Sequence, residues 1–97
     1  MSTFVILVNY TDQGIRNIKD SVSRLEQIKI LAEQLGGKVR DFYVTLGVYD
    51  IVAIVDLPSD AACATFVFTT GSLGSVRTTT LKAFKEEEYR EIIASIP

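Results

Sequence analysis

Phe4-Val5-Ile6-Leu7-Val8 and Ile51-Val52-Ala53-Ile54-Val55 are the two stretches that decide how this chain folds. Both are strand-length, both are rich in β-branched residues, and neither alternates with polar residues. Successive side chains of a strand point to opposite faces, so a sheet built from these runs is apolar above and below. Along the first run Phe4, Ile6, Val8 and Tyr10 share one face, while Val5, Leu7 and Asn9 share the other. Neither set is polar enough to face water. The two main helical segments of the chain can cover one face, and the other requires a partner.

Working outward, residues 3–10 read as a first strand, and Thr11-Asp12-Gln13-Gly14 reads as a turn with capping groups. Ile15, Ile18, Val22, Leu25, Ile28, Leu31, Ala32 and Leu35 then recur at spacings of three and four, the stripe of a core-facing helix. Asp20-Ser21 can divide that helix, with Ser23 and Glu26 as a second capping signal, and Gly36-Gly37 stops it. Lys38 to Leu46 is predicted as a second strand with Arg40, Phe42, Val44 and Leu46 on one side and Asp41, Tyr43 and Thr45 on the other. Gly47-Val48 turns it into a third strand, Tyr49 to Leu57. Pro58 ends that strand, and Ser59 or Asp60 caps a helix reaching about Thr70. Gly71 to Gly74 is predicted as a loop, residues 75–84 as a fourth strand, and Glu86 to Ser95 as a terminal helix with its acids at the N-terminal end.

This order predicts a single α+β domain over residues 1–97: a ferredoxin-like βαββαβ fold with a C-terminal helix and a four-stranded antiparallel sheet in the order 4-1-3-2. The charge distribution supports the same order. The strands placed centrally carry the fewest charges, while Lys38, Arg40, Asp41, Arg77 and Lys82 fall on the edges. Covering a bare apolar face of several hundred Å² is worth on the order of 10 kcal/mol before association costs. The expected solution is two copies with their sheets face to face, a dimeric α+β barrel.

Composition narrows the chemistry. The 97 residues include no His, no Trp and a single Cys, Cys63. A Ser-His-Asp triad, a Cys-His pair, a His-ligated haem and His-containing zinc sites are therefore unavailable within the chain, as are thiolate clusters. No metal and no cofactor is expected. A net charge of −2 gives no electrostatic reason to expect nucleic acid or an anionic membrane, and no apolar run is long enough to span a bilayer. The segment after Met1 lacks a basic n-region, and a cytoplasmic location is the expectation.

The chain also resembles the GYD-domain proteins. The resemblance covers nearly its whole length. It rests on Thr11-Asp12-Gln13-Gly14, Asn17-Ile18-Lys19-Asp20-Ser21, Leu35-Gly36-Gly37-Lys38, Asp41-Phe42-Tyr43, Gly47 with Tyr49-Asp50, and the run Gly71 to Thr80. Val48 departs from the polar residue more usual at its position. The resemblance implies a small bacterial or archaeal protein of the dimeric α+β barrel type and implies no particular reaction.

Three groups of residues are candidate sites. Gly47-Val48-Tyr49-Asp50 is either a hairpin turn or the mouth of a cavity, with Asp50 as general base and Tyr49 as oxyanion donor. Gly71, Ser72 and Gly74 form either a helix end or an anion-binding loop completed by Arg77. Asn9, Tyr43, Thr45 and Arg77 interrupt apolar strands, and either bond across a dimer or line a small-ligand pocket. An Asp50–Arg77 ion pair is conceivable. Cys63, Phe66 and Phe68 read as packing. The functions these allow are a homo-oligomeric protein that binds a small apolar molecule between subunits or serves as an assembly module, a cofactor-independent oxygenase- or isomerase-like enzyme using Asp50 and Tyr49, or a metabolite-sensing regulatory module.

Overall fold

The computed structural model describes all 97 residues. β1 (Ser2–Tyr10) leads to a short helix α1 (Asp12–Arg16), a 3₁₀ turn (Ile18–Asp20) and α2 (Ser21–Gln34). β2 (Lys38–Val44) and β3 (Ile51–Leu57) follow, then α3 (Asp60–Ser72), β4 (Val76–Ala83) and α4 (Glu86–Ala94). The strands form one antiparallel sheet in the order β2-β3-β1-β4, which is the predicted 4-1-3-2 read from the opposite edge. No helix is long and apolar enough to cross a membrane.

The core lies between one sheet face and the helices. Phe4, Ile6 and Val8 of β1 and Ile51, Ala53, Val55 and Leu57 of β3 meet Ala32 of α2 and Cys63 and Phe66 of α3. Local chemistry fixes where each helix starts and stops. The Thr11 hydroxyl accepts from the Gly14 N–H and donates to the Gly74 carbonyl at 2.6 Å, so one cap also ties α1 to the loop before β4. Ser59 caps α3 by accepting from the Ala62 N–H. α2 ends on Gly36, whose φ of 89° suits glycine, with Gly36 and Gly37 N–H groups donating to the Glu33 and Ala32 carbonyls.

Several predicted details are corrected. The residues after Thr11 form a short helix rather than a simple turn, and the 3₁₀ turn at Ile18–Asp20 shifts the helical phase. Ile15 and Ile18 consequently leave the core stripe and stand exposed, whereas Val22, in the first turn of α2, keeps the phase of Leu25 and is exposed at the edge of the helix–sheet layer. Asp20, not Ser23, precedes α2, and its side chain makes no capping bond. β2 stops at Val44 and β3 starts at Ile51, so the connection spans residues 45–50 instead of a two-residue turn. A bulge between Val39 and Asp41 gives β2 one extra residue. It puts Val39 and Phe42 against the core and sends Arg40 to the other face with Asp56, whereas simple alternation grouped Arg40 with Phe42. Phe68 is exposed rather than packed. α3 continues through Gly71 and Ser72, which were predicted as loop.

The outline is elongated, 52 × 31 × 18 Å, with a radius of gyration of 14.6 Å. A compact chain of this length has a radius of about 12.5 Å. The excess belongs to α4, which stands off the body with every residue from Phe84 to Pro97 exposed. Its Tyr89, Ile92, Ile93 and Ile96 are solvent-facing apolar side chains.

Candidate functional site

The sheet face opposite the helices is bare. Register places Val5 between Ile54 and Leu81, and Leu7 between Val52 and Thr79, giving an apolar centre on β3 and β1 that reaches β4 at Leu81. These residues are shielded sideways by one another, and no element of the chain lies above them; Leu81 is 48% exposed. Polar groups frame the centre. Asn9 pairs with Arg77 at one end, and Thr3 with Asp56 at the other, while Asp41 and Tyr43 of β2 flank Ile54 and Val52.

The β2–β3 connection projects from the same sheet, and its tip is apolar. Leu46 is 100% and Val48 82% exposed, on either side of Gly47 with its φ of 129°. The loop is held from below by four bonds. Thr45 donates its N–H to the Asp50 carbonyl and its hydroxyl to the Tyr49 carbonyl, Asp50 N–H donates to the Val8 carbonyl, and the Asn9 amide donates to the Val48 carbonyl at 2.7 Å. The Asp50 carboxylate accepts from the Tyr10 N–H at 2.9 Å. Asp50, Thr45 and Asn9 thus share one arrangement that stiffens the hairpin base. Tyr43 stands exposed on the strand beside it.

Gly71 and Ser72 lie in the last turn of α3, and Gly74 has a φ of 85° at its exit. The Leu73 and Gly74 N–H groups donate to the Thr70 and Gly71 carbonyls. The Leu73 and Gly74 carbonyls accept from Gln13 and Thr11. The loop therefore offers carbonyls to its neighbours and spends its N–H groups internally. Arg77 is exposed beside Asn9 and forms no ion pair with Asp50. No three Cys, Asp or Glu side chains converge as a metal site requires.

Two features escaped the residue pattern. The first is a network on the bare face: the Asp56 carboxylate accepts from the Thr3 hydroxyl at 2.8 Å and from the Arg40 guanidinium at 2.7 Å, joining β1, β3 and β2. Burial pushes this carboxyl up, but the bonds from Thr3 and Arg40 and the charges of Arg40 and Lys85 outweigh it and hold the pKa below the usual carboxylate value. A bulge that re-aims Arg40 is invisible to alternation. The second is a crevice of about 190 Å³ on the helix side, between α2, α3 and the sheet. None of Asn9, Tyr43, Thr45 or Arg77 lines it. The available signal was Ala53, a small residue in the middle of an otherwise bulky strand, which lowers the floor of the space. Cys63 is buried in the core, and burial pushes its thiol up.

The GYD domain model matches residues 4–93, nearly the whole chain. This chain belongs to the GYD-domain family. A curated relative from Thermus thermophilus, the "Glutamine synthetase and cystathionine beta-lyase binding protein", is 33% identical over 84 residues, covering 86% of this chain and 88% of that protein. Among solved structures, TTHA0845 from Thermus thermophilus superposes with a TM-score of 0.57 at 28% identity, covering 88% of this chain and 95% of that one. FFRP-DM1 superposes with a TM-score of 0.61 at 22% identity, covering 87% and 100%, and supports the α+β fold of this GYD-domain protein alone.

Proposed function

We propose that this GYD-domain protein is a binding protein that assembles with a second copy through its bare sheet face and engages a larger enzyme through the surface so formed. The bare face is the observation that carries this reading. Val5, Leu7, Val52, Ile54 and Leu81 form one apolar patch with no cover from the chain's own tail, and patches of that kind mark interaction sites. A two-fold pairing of the face is self-complementary, with apolar centre on apolar centre and Asn9, Arg77 and Thr79 as polar groups at the margin. The facing sheets, rather than a third molecule, supply the apolar cover. α4, with its unpartnered Tyr89, Ile92, Ile93 and Ile96, adds an arm that reaches across to the second copy.

The relative's name supports an enzyme as the further partner, and glutamine synthetase and cystathionine beta-lyase are the first to test. The tip at Leu46 and Val48 is the contact we assign to that partner, because these apolar side chains are almost wholly exposed. Hairpin-base bonds hold this tip in one conformation, which reduces the ordering cost of docking.

Cysteine cross-linking tests the assembly. In a Cys63→Ala background, Leu7→Cys, Ile54→Cys and Leu81→Cys place single thiols on the bare face, and Phe68→Cys serves as control on α3. Mild oxidation is expected to give linked dimers from at least one face variant faster than from the control; equal rates overturn the pairing. Surface-immobilised wild type is expected to bind purified glutamine synthetase or cystathionine beta-lyase of the same host, with loss on the double substitution Leu46→Ser and Val48→Ser. Absence of binding to either enzyme removes the partner half of the proposal.

A further inference from the structure

We propose that the crevice between α2, α3 and the core face of the sheet binds a small aromatic carboxylic acid, about one ring with a short acid-bearing arm. This site lies on the opposite side of the sheet from the assembly face, so it stands or falls independently of self-association. Its size, its lining and its charge each narrow the occupant.

The space measures about 190 Å³. An apolar cavity of about 150 Å³ accommodates benzene. One ring with a short chain therefore fits, and a long acyl chain does not. Fifteen of the nineteen lining residues are hydrophobic. Val8 and Ala53 form the floor, Leu25 and Ile28 one wall, and Phe66 and Val67 the other, so Phe66 offers an aromatic partner to a ring. Val22 and Val44 line it too while largely exposed, which places them at its mouth.

The polar lining is Ser21, Arg24, Thr70 and Thr78, with the Tyr10 ring beside them. Ser21 and Arg24 begin α2, Tyr10 ends β1 and Thr70 lies in the last turn of α3. α2 starts where β1 finishes and α3 returns to the same end, so these groups gather at one end of the crevice. The Arg24 guanidinium donates to the Asn17 carbonyl at 2.9 Å and lies 3.5 Å from the Gly14 carbonyl. Neutral carbonyls orient it, and no carboxylate pairs with it: the four ion pairs of the chain use Lys29, Arg40, Lys82 and Arg90. A fixed cation without a counter-charge at one end of an apolar slot is complementary to a carboxylate attached to a ring. The Thr70 hydroxyl donates to the Phe66 carbonyl, so its proton is engaged within α3.

The test uses the full chain with 3-phenylpropanoate and its uncharged amide, read by methyl-resolved NMR titration. The acid is expected to bind saturably and shift the Ile28, Leu25 and Val67 methyls, leaving those of Leu7 and Leu81 unmoved. Arg24→Gln is expected to weaken the acid at least tenfold while changing the amide less than twofold. Ala53→Leu fills the floor and is expected to abolish both; should that variant fail to fold by circular dichroism, Val67→Phe narrows the same space from the helix side. Shifts confined to Leu7 and Leu81, no saturation by either compound, or an Arg24→Gln variant that treats acid and amide as wild type does would each overturn the proposal. So would intermolecular NOEs from a second copy to the Ile28, Leu25 and Val67 methyls without ligand, since these put that copy's side chains in the space.

Discussion

Replacing Arg40 with Met isolates what the Thr3–Asp56–Arg40 network contributes. The guanidinium lies 2.7 Å from the Asp56 carboxylate, whose side chain is 11% exposed against 36% for Arg40. Two unit charges about 4 Å apart interact by about 4 kcal/mol at the effective dielectric suited to such sites. Removing both groups from water offsets much of that, and the partly wet Arg40 reduces it further. The net coupling expected is about 1–2 kcal/mol. Urea unfolding at one fixed protein concentration, on wild type, Arg40→Met, Asp56→Asn and the double variant, measures it as a cycle. The sign of the pH dependence follows from the depressed Asp56 pKa. Its contribution is fully present above the unfolded value of 3.8 and is lost as pH falls through the lower folded value. The gap between wild type and Asp56→Asn should therefore be constant from about pH 5 to 8 and close below pH 4. A coupling under about 0.3 kcal/mol, or a gap that widens on acidification, refutes the reasoning.

Gly37→Ala drives a Cβ into the Asp56 carbonyl oxygen, so the start of β2 must part from β3. A loss above about 2 kcal/mol is expected in the same unfolding assay. Leu57 has 0% exposure beneath the helices, and Leu57→Ala should cost about 2–5 kcal/mol in urea unfolding. The Cys63 thiol, buried in the core with its pKa raised, should react with a disulfide reagent at pH 8 only as fast as the chain opens, and at once in denaturant.

The strands, the α3 cap and the sheet order were legible because each rests on local chemistry. Apolar runs mark β1 and β3, Ser59 follows Pro58, and Gly36-Gly37 can only end a helix. What the pattern missed depends on relations between distant residues. The bulge at Arg40 responds to Thr3 and Asp56 across two strands, and nothing within Lys38–Val44 announces it. Ile15 and Ile18 continue the apolar period of α2, yet the 3₁₀ turn rotates them outward. Of the candidate residues, Asn9, Thr45 and Asp50 are bonded together at the hairpin base, whereas Tyr43 and Arg77 stand beside it and take no part in those bonds. The crevice is a deficit of volume over Ala53, and a period in sequence records which residues face inward without recording how fully they meet.

Sedimentation velocity of the wild-type chain at micromolar concentration addresses the uncovered sheet most directly. A mass of two or more copies, falling to one on Leu7→Asp with the fold retained, is the predicted result. A folded single chain of 10.7 kDa at those concentrations would contradict it.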